Sequence, residues 1–337
     1  MNKRHIPLLA VDGGGTKSLA MILDQNQHVL GTGRAGSCNY HGNGVEAATH
    51  ELKKAINGAM TEALTSQSQN PFDTQSPLQV DCAVFGIAGL DTSYDRAIIL
   101  KLVNQVLFDL NIQINQIVVE NDCVAALMGA TNGRPGILAI AGTGSIVCGV
   151  GTNGKSSRAG GWGHRVGDEG SGYWIGNQAL TAIFRSSDGR ANSTLLTDEV
   201  LAYLQMDDVE QLFHWVYNEK TYSVDKVGEL SRLVSSAAQK GDQTAHSILE
   251  KAADELFEGI KMIMGQLNLH DQACPVILQG GVLKHEPFVR QRLIQLISQY
   301  APKAMVDDSE QDPIKGVIAM GFRAMNNRQY PDTNPKD

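Results

Sequence analysis

Laying Ala10–Thr16 (AVDGGGT) over Ala139–Ser145 (AIAGTGS) brings the polar turn at Asp24–Gln27 close to Thr152–Gly154. Both stretches then read apolar strand, glycine loop, strand, polar turn, strand. A duplicated unit with diverged loops is the simplest account, and it constrains the fold more than any other feature. A chain of 337 residues is long enough for two domains, each burying its own core. Two domains facing each other across a cleft are therefore expected.

Between the repeats, strands alternate with helical stretches. Val45–Leu64 carries Val45, Ala48, Leu52, Ile56, Ala59 and Ala63 near the helical period. Val80–Ile87 reads as a strand, Tyr94–Leu110 as a helix and Ile114–Val119 as a strand. In the second half, helical patterns run through Gly172–Arg185, Asp225–Lys240 and Thr244–Leu267. The last presents Ile248, Ala252, Leu256, Ile260, Ile263 and Leu267 on one face. Pro275–Leu278 reads as a buried strand and Pro313–Asn326 as a final helix with proline in its first turn. The tail after Asn327 is polar and expected to fray. Strands alternating with helices predict an α/β fold of partly parallel sheets covered by helices. The boundary is expected at 120/121, with helix 313–327 completing the N-terminal domain.

Composition removes several classes of function. Lys and Arg number 28 against 36 Asp and Glu, and a net charge of −8 argues against nucleic acid as a partner. Five cysteines, Cys38, Cys82, Cys123, Cys148 and Cys274, are widely spaced without a CxxC, so neither a disulfide framework nor a local zinc site is written here. A reducing cytoplasm fits. Ile6–Val11 is too short for a signal sequence, and the uncharged stretch Pro135–Gly154 is filled with Gly, Thr, Ser and Asn, so no membrane segment is expected.

Four stretches carry candidate chemistry. Asp12-Gly13-Gly14-Gly15-Thr16-Lys17 follows a buried strand; its glycines let the backbone approach an anion and turn amides toward phosphate oxygens. Asp12 cannot favour phosphate directly, so its expected use is to hold Mg²⁺ through water. The matching loop Gly142-Thr143-Gly144-Ser145 has Ala141 where the first has Asp12, and offers amides and hydroxyls only, an asymmetry suited to a metal–nucleotide clamp. Gly160–Ser171 (GGWGHRVGDEGS) is either a pocket wall whose Asp168 and Glu169 accept hydrogen bonds from a polyol, or a flexible loop anchored by Trp162. Asn121-Asp122, between a strand and the helical run Val124–Ala130, could supply a general base for phosphoryl transfer or simply cap the helix. Ser37-Cys38-Asn39 reads as a polar turn.

Two pattern matches fail on context. Gly149–Ser156 (GVGTNGKS) fits a P-loop expression but opens no helix, and Asn153-Gly154 suits a hairpin tip. Gly31–Gly36 (GTGRAG) fits a dinucleotide fingerprint, again without the helix that fingerprint requires.

The order DGGGTK, ENDCVAAL, AIAGTGS, GGWGHRVGDEGSGYWIG and ILQGGV resembles the N-acetylglucosamine kinase group of the BadF/BadG/BcrA/BcrD ATPase family, over roughly residues 6–325. That family belongs to the actin, hexokinase and Hsp70 superfamily, so the resemblance implies two ribonuclease-H-like domains. It also implies ATP and Mg²⁺ as cofactors and a small amino sugar as substrate, with a homodimer as the family expectation. By position, it makes Gly13, Gly14, Gly15, Thr16 and Lys17 the first phosphate loop, with metal-holding Asp12, and Gly142, Thr143, Gly144 and Ser145 the second. It makes Gly280 and Gly281 the adenosine turn, Asp122 the catalytic base, and Asn39, Gly161, Trp162 and Asp168 the sugar contacts. Between Arg185 and Thr244 no motif aligns. Two other functions are open at this point: an ATPase that energises a partner reductase or dehydratase, and a sugar or nucleotide sensor without turnover. Cys123 and Cys148 are too isolated to read as iron–sulfur ligands for the former.

Overall fold

The computed structural model describes residues 5–66, 77–308 and 312–326. The tail after Asn327 lies outside the described residues. In chain order the elements are β1 (His5–Gly13), β2 (Ser18–Leu23), β3 (Val29–Ala35), α1 (Tyr40–Ser66), β4 (Leu78–Ile87), α2 (Ser93–Asp109), β5 (Ile112–Asn121) and α3 (Asp122–Ala130). Then follow β6 (Gly136–Ala141), β7 (Ser145–Val150), β8 (Ser156–Gly160), α4 (Gly172–Ser187), α5 (Leu196–Leu204), α6 (Val209–Val216), α7 (Val224–Glu229), α8 (Ser231–Gln239) and α9 (Gln243–Gln266). The chain ends through β9 (Pro275–Gln279), α10 (Gly281–His285), α11 (Pro287–Tyr300), β10 (Met305–Asp307) and α12 (Pro313–Asn326).

Two compact units result, one of Met1–Arg134 with Glu310–Asp337 and one of Pro135–Ser309. The first sheet runs β3-β2-β1-β4-β5 and the second β8-β7-β6-β9-β10. In each sheet the first three strands are antiparallel and the last two run parallel to the first. The repeat seen in the glycine loops thus extends to strand order and direction. Both units are α/β, with mixed five-stranded sheets flanked by helices.

The boundary lies at 134/135 and not at the expected 120/121, because α3 packs against α12 and β4 of the first unit. Gly316 of α12 faces Ala125 and Gly129 of α3, and a Cβ at Gly316 would overlap the Ala125 carbonyl oxygen. Bare backbones meeting there let α12 close over α3. The first core gathers Leu9, Val11, Leu52, Ile56, Phe85 and Val103, while Ile248, Leu256, Ile260 and Ile263 of α9 anchor the second. All six apolar positions expected on α9 are buried. On α1, Val45 is instead 44% exposed, because Gly44 breaks the helix at φ 81° and Val45 starts a new axis.

The GTGRAG stretch also finds its reason here. Gly31 and Gly33 lie on β3 against α1, and a Cβ on either would overlap the carbonyl of Ala59 or Ala55. These glycines serve helix–sheet contact. GVGTNGKS is a hairpin between β7 and β8: Asn153 Oδ1 accepts from Lys155 N at 3.0 Å, and Gly154 has φ 78°. Among the described residues no helix is long and apolar enough to cross a membrane.

Gly316→Ala should force α12 away from α3, costing about 1–3 kcal/mol as overpacking does. Urea unfolding measures it; an unchanged midpoint would contradict the backbone contact.

Candidate functional site

The parallel pairing of β1, β4 and β5 aligns Gly13 with Ile87 and Ile87 with Asn121. All three strands therefore release the chain at the same carboxyl edge, where open α/β sheets bind ligands. From that edge come the loop Gly14–Lys17, the loop Ala88–Thr92 and the start of α3. Ala88 N donates to Gly13 O at 2.9 Å and Cys38 N to Gly14 O at 3.2 Å, so the segment after β3 joins the group. Asn39 sits in that segment; its Oδ1 accepts from His41 N at 3.0 Å and lies against Gly89, whose φ is 84°. The structure thus brings Asp12, the first glycine loop, Asn39 and Asp122 to one edge of the first unit.

Of the two roles left open for the dipeptide at the start of α3, the structure shows the cap. Asn121 is the cap, with Oδ1 accepting the Cys123 amide at 2.8 Å and Nδ2 donating to Leu90 O at 3.2 Å. Asp122 is the first residue of the helix. Burial pushes its carboxyl up to about 6, helped by the charges of Asp12 and Asp91, against the backbone amides that favour the anion. Asp12 is likewise raised to about 6, by burial first and then by Asp312, with Lys17 opposing. Desolvation thus outweighs the helix N-terminus and Lys17, which favour the ionised forms. Neither Asp312, just before α12, nor Asp91 stands out in the sequence. An acid immediately before Pro313 reads as a helix start, and only the fold brings it near Asp12.

In the second unit, Gly142, Thr143 and Gly281 line one cavity of about 740 Å³ with Gly228, Arg232 and Glu286. Gly280, at φ 96°, presses against Ala141 so closely that a Cβ would overlap its carbonyl. This places the glycine turn after β9 beside the second glycine loop. The helices α7 and α8 supply the far wall through Asp225, Glu229, Ser231 and Ser235. That wall falls in the stretch where no motif aligns. The stretch 225–240 reads as one helix but folds as two, joined at Leu230, and the joint presents Gly228, Ser231 and Ser235 to the cavity. Polar residues spaced three and four apart were the available clue.

The glycine-rich segment 160–171 is shaped by its backbone. Gly160, Gly161, Gly163 and Gly170 have φ between 66° and 84°, and Gly170 lies against Leu256 and Ala252 of α9. Trp162 is 59% exposed, with the Arg158 guanidinium 4.1 Å from its ring centroid. Asp168 is buried, with a φ of 61°, and its carboxylate accepts from Gly163 N at 3.2 Å. Gly161, Trp162 and Asp168 thus sit in the second unit, and Asn39 in the first.

Against known proteins, the model of the BadF/BadG/BcrA/BcrD ATPase family matches residues 9–318. The N-acetyl-D-glucosamine kinase of Dictyostelium discoideum is 31% identical over 322 residues, covering 94% of this chain and 98% of that one. The N-acetylmuramic acid/N-acetylglucosamine kinase of Clostridium acetobutylicum is 30% identical over 311 residues, covering 92% and 96%. In fold, a crystal structure from Chromobacterium violaceum, provisionally named an N-acetylglucosamine kinase, superposes with a TM-score of 0.65 at 22% identity. It covers 94% of this chain and 99% of that one.

The raised Asp122 carboxyl makes a stability prediction with a definite sign. Below the ordinary aspartate range the group is protonated folded or unfolded, and no charge is buried. Between the ordinary aspartate value of 3.8 and about 6 the unfolded chain ionises first, so stability falls as pH rises, and above about 6 the penalty is complete. Asp122→Asn should therefore be more stable than the parent at pH 8, by roughly 1–3 kcal/mol, with the gain fading toward pH ~4. Urea titrations at both pH values check this, and a variant weaker than the parent at pH 8 would contradict the buried-charge account.

Proposed function

The chain belongs to the BadF/BadG/BcrA/BcrD ATPase family, and on that premise we propose that it is an ATP-dependent amino-sugar kinase. It transfers the γ-phosphate of ATP to the 6-hydroxyl of N-acetylglucosamine or a close relative. The observation that carries this reading is the division of labour at α3: Asn121 takes the capping role and Asp122 remains beside Asp12 at the carboxyl edge of the first sheet.

Each group has a part that suits its chemistry. Asp122, raised to about 6, is mostly ionised at neutral pH yet basic enough to take the proton of an attacking hydroxyl. The amides of Gly13–Lys17 and of Gly142–Ser145 donate to phosphate oxygens, with the Thr16 and Ser145 hydroxyls and Lys17 adding to them. Gly280 and Gly281, with the cavity that Gly281 lines, take the nucleoside, and α7 and α8 wall it. Asn39, Gly161 and Trp162, with the glycine-rich segment that carries Asp168, belong to the sugar side. The donors at Asp12 and Asp312 are hard carboxylate oxygens; burial first, and then the charge of Asp312, raises Asp12, and this set fits Mg²⁺. When bound, Mg²⁺ supplies the positive charge that neutralises phosphate. Phosphoryl transfer is then mostly positioning: the base orients one hydroxyl and the loops fix one phosphate.

An assay coupling ADP release to a panel of amino sugars tests the proposal. ADP should appear only with N-acetylglucosamine or a near relative, and Asp122→Asn should lower turnover by roughly 10²–10⁴ while sugar still binds. ADP release without sugar would favour a partner-energising ATPase, no ADP with any sugar would favour a sensor, and either result would overturn the kinase.

A further inference from the structure

Asp168 holds a conformation that its expected role as a sugar contact does not explain. A φ of 61° is uncommon for a residue other than glycine, and Asp168 is held there by what surrounds it. The surroundings here are backbone atoms. The Asp168 carboxylate accepts from Gly163 N at 3.2 Å, and its Oδ2 packs against Gly144, next to Ser145 in the second glycine loop. A Cβ on Gly144 would stand 2.8 Å from Asp168 Oδ2, so glycine at 144 is what admits the carboxylate.

Three hydrogen bonds run between the same two segments. Ser145 Oγ donates to Glu169 O at 2.7 Å, Gly172 N to Gly142 O at 2.7 Å, and Tyr173 N to Thr143 O at 3.2 Å. These bonds turn the carbonyls of Gly142 and Thr143 toward α4, engaging the acceptors that would repel phosphate. The loop Gly142–Ser145 therefore takes its shape from segment 163–173.

Resting on the kinase reading, we propose that Asp168 is a positioning residue for the nucleotide: its carboxylate latches the second phosphate loop to the GGWG segment and fixes the loop that receives phosphate. The latch does not require Asp168 to touch the sugar. Its effect is on nucleotide affinity, and it is present before any sugar arrives.

The test titrates Mg-ATP into the full-length protein without sugar, and separately measures the amino-sugar KM. Asp168→Ala should weaken nucleotide binding at least tenfold. Asp168→Gly, which adopts that φ freely but removes the carboxylate, should weaken it as much, whereas Asp168→Asn, which keeps an acceptor oxygen, should recover part of the loss. Gly144→Ala, which crowds the carboxylate out, should weaken it too, and combining it with Asp168→Ala should add little. Nucleotide affinity within twofold of the parent in Asp168→Ala, with a raised sugar KM, would overturn the latch and leave a sugar contact. Amide exchange in the parent protein gives a check that needs no variant: Gly163 N–H should be protected, and exchange at the rate of an open loop would overturn the proposal. Absence of sugar-dependent ADP from the parent protein would instead fault the kinase reading, which the sugar-free titration does not use.

Discussion

The parallel register of β1, β4 and β5 is the constraint on which the first half of the site depends. Because Gly13, Ile87 and Asn121 lie in one row, the loops that leave these strands converge, and two acids distant in sequence come within each other's field. Holding Asp12 and Asp122 together out of water costs stability, and the fold sustains it through α3, which α12 braces by direct backbone contact at Gly316. Both carboxyls rise into the range where a proton can be taken and returned near neutral pH. The feature that strains the fold is the one that suits the chemistry proposed for it.

The second unit repeats the scaffold and changes its use. Strand order and direction are the same in both sheets, yet the second glycine loop has no acid before it. It is tied to the segment that follows β8 and to the start of α4. Where the first loop is open toward acids, the second borders a cavity walled by α7 and α8. The same layout thus yields an acidic edge in one unit and a cavity of about 740 Å³ in the other.

Much of this was legible from residues alone, and the reasons are physical. Glycine loops after apolar strands, the 3.6-residue stripe on α9 and the proline opening α12 are local patterns, and the structure contains each of them. Less legible were features that exist only once distant segments meet. Asp312 means nothing until α12 docks beside α3, and α7 and α8 read as one helix because Leu230 carries no breaker. Val45 falls on the expected stripe but outside the core, since Gly44 redirects the axis. Asp168 shows the same limit: sequence marks it as an acid in a glycine-rich segment, and only the backbone shows where its carboxylate is spent.

The most direct test of the central claim is a crystal structure with a non-hydrolysable ATP analogue and N-acetylglucosamine. The account predicts the acceptor hydroxyl within roughly 2.6–3.2 Å of an Asp122 oxygen, the reach of a general base, with the triphosphate against the amides of Gly13–Lys17 and Gly142–Ser145. A nucleotide seated away from both glycine loops, or a sugar whose hydroxyls do not face Asp122, would contradict it.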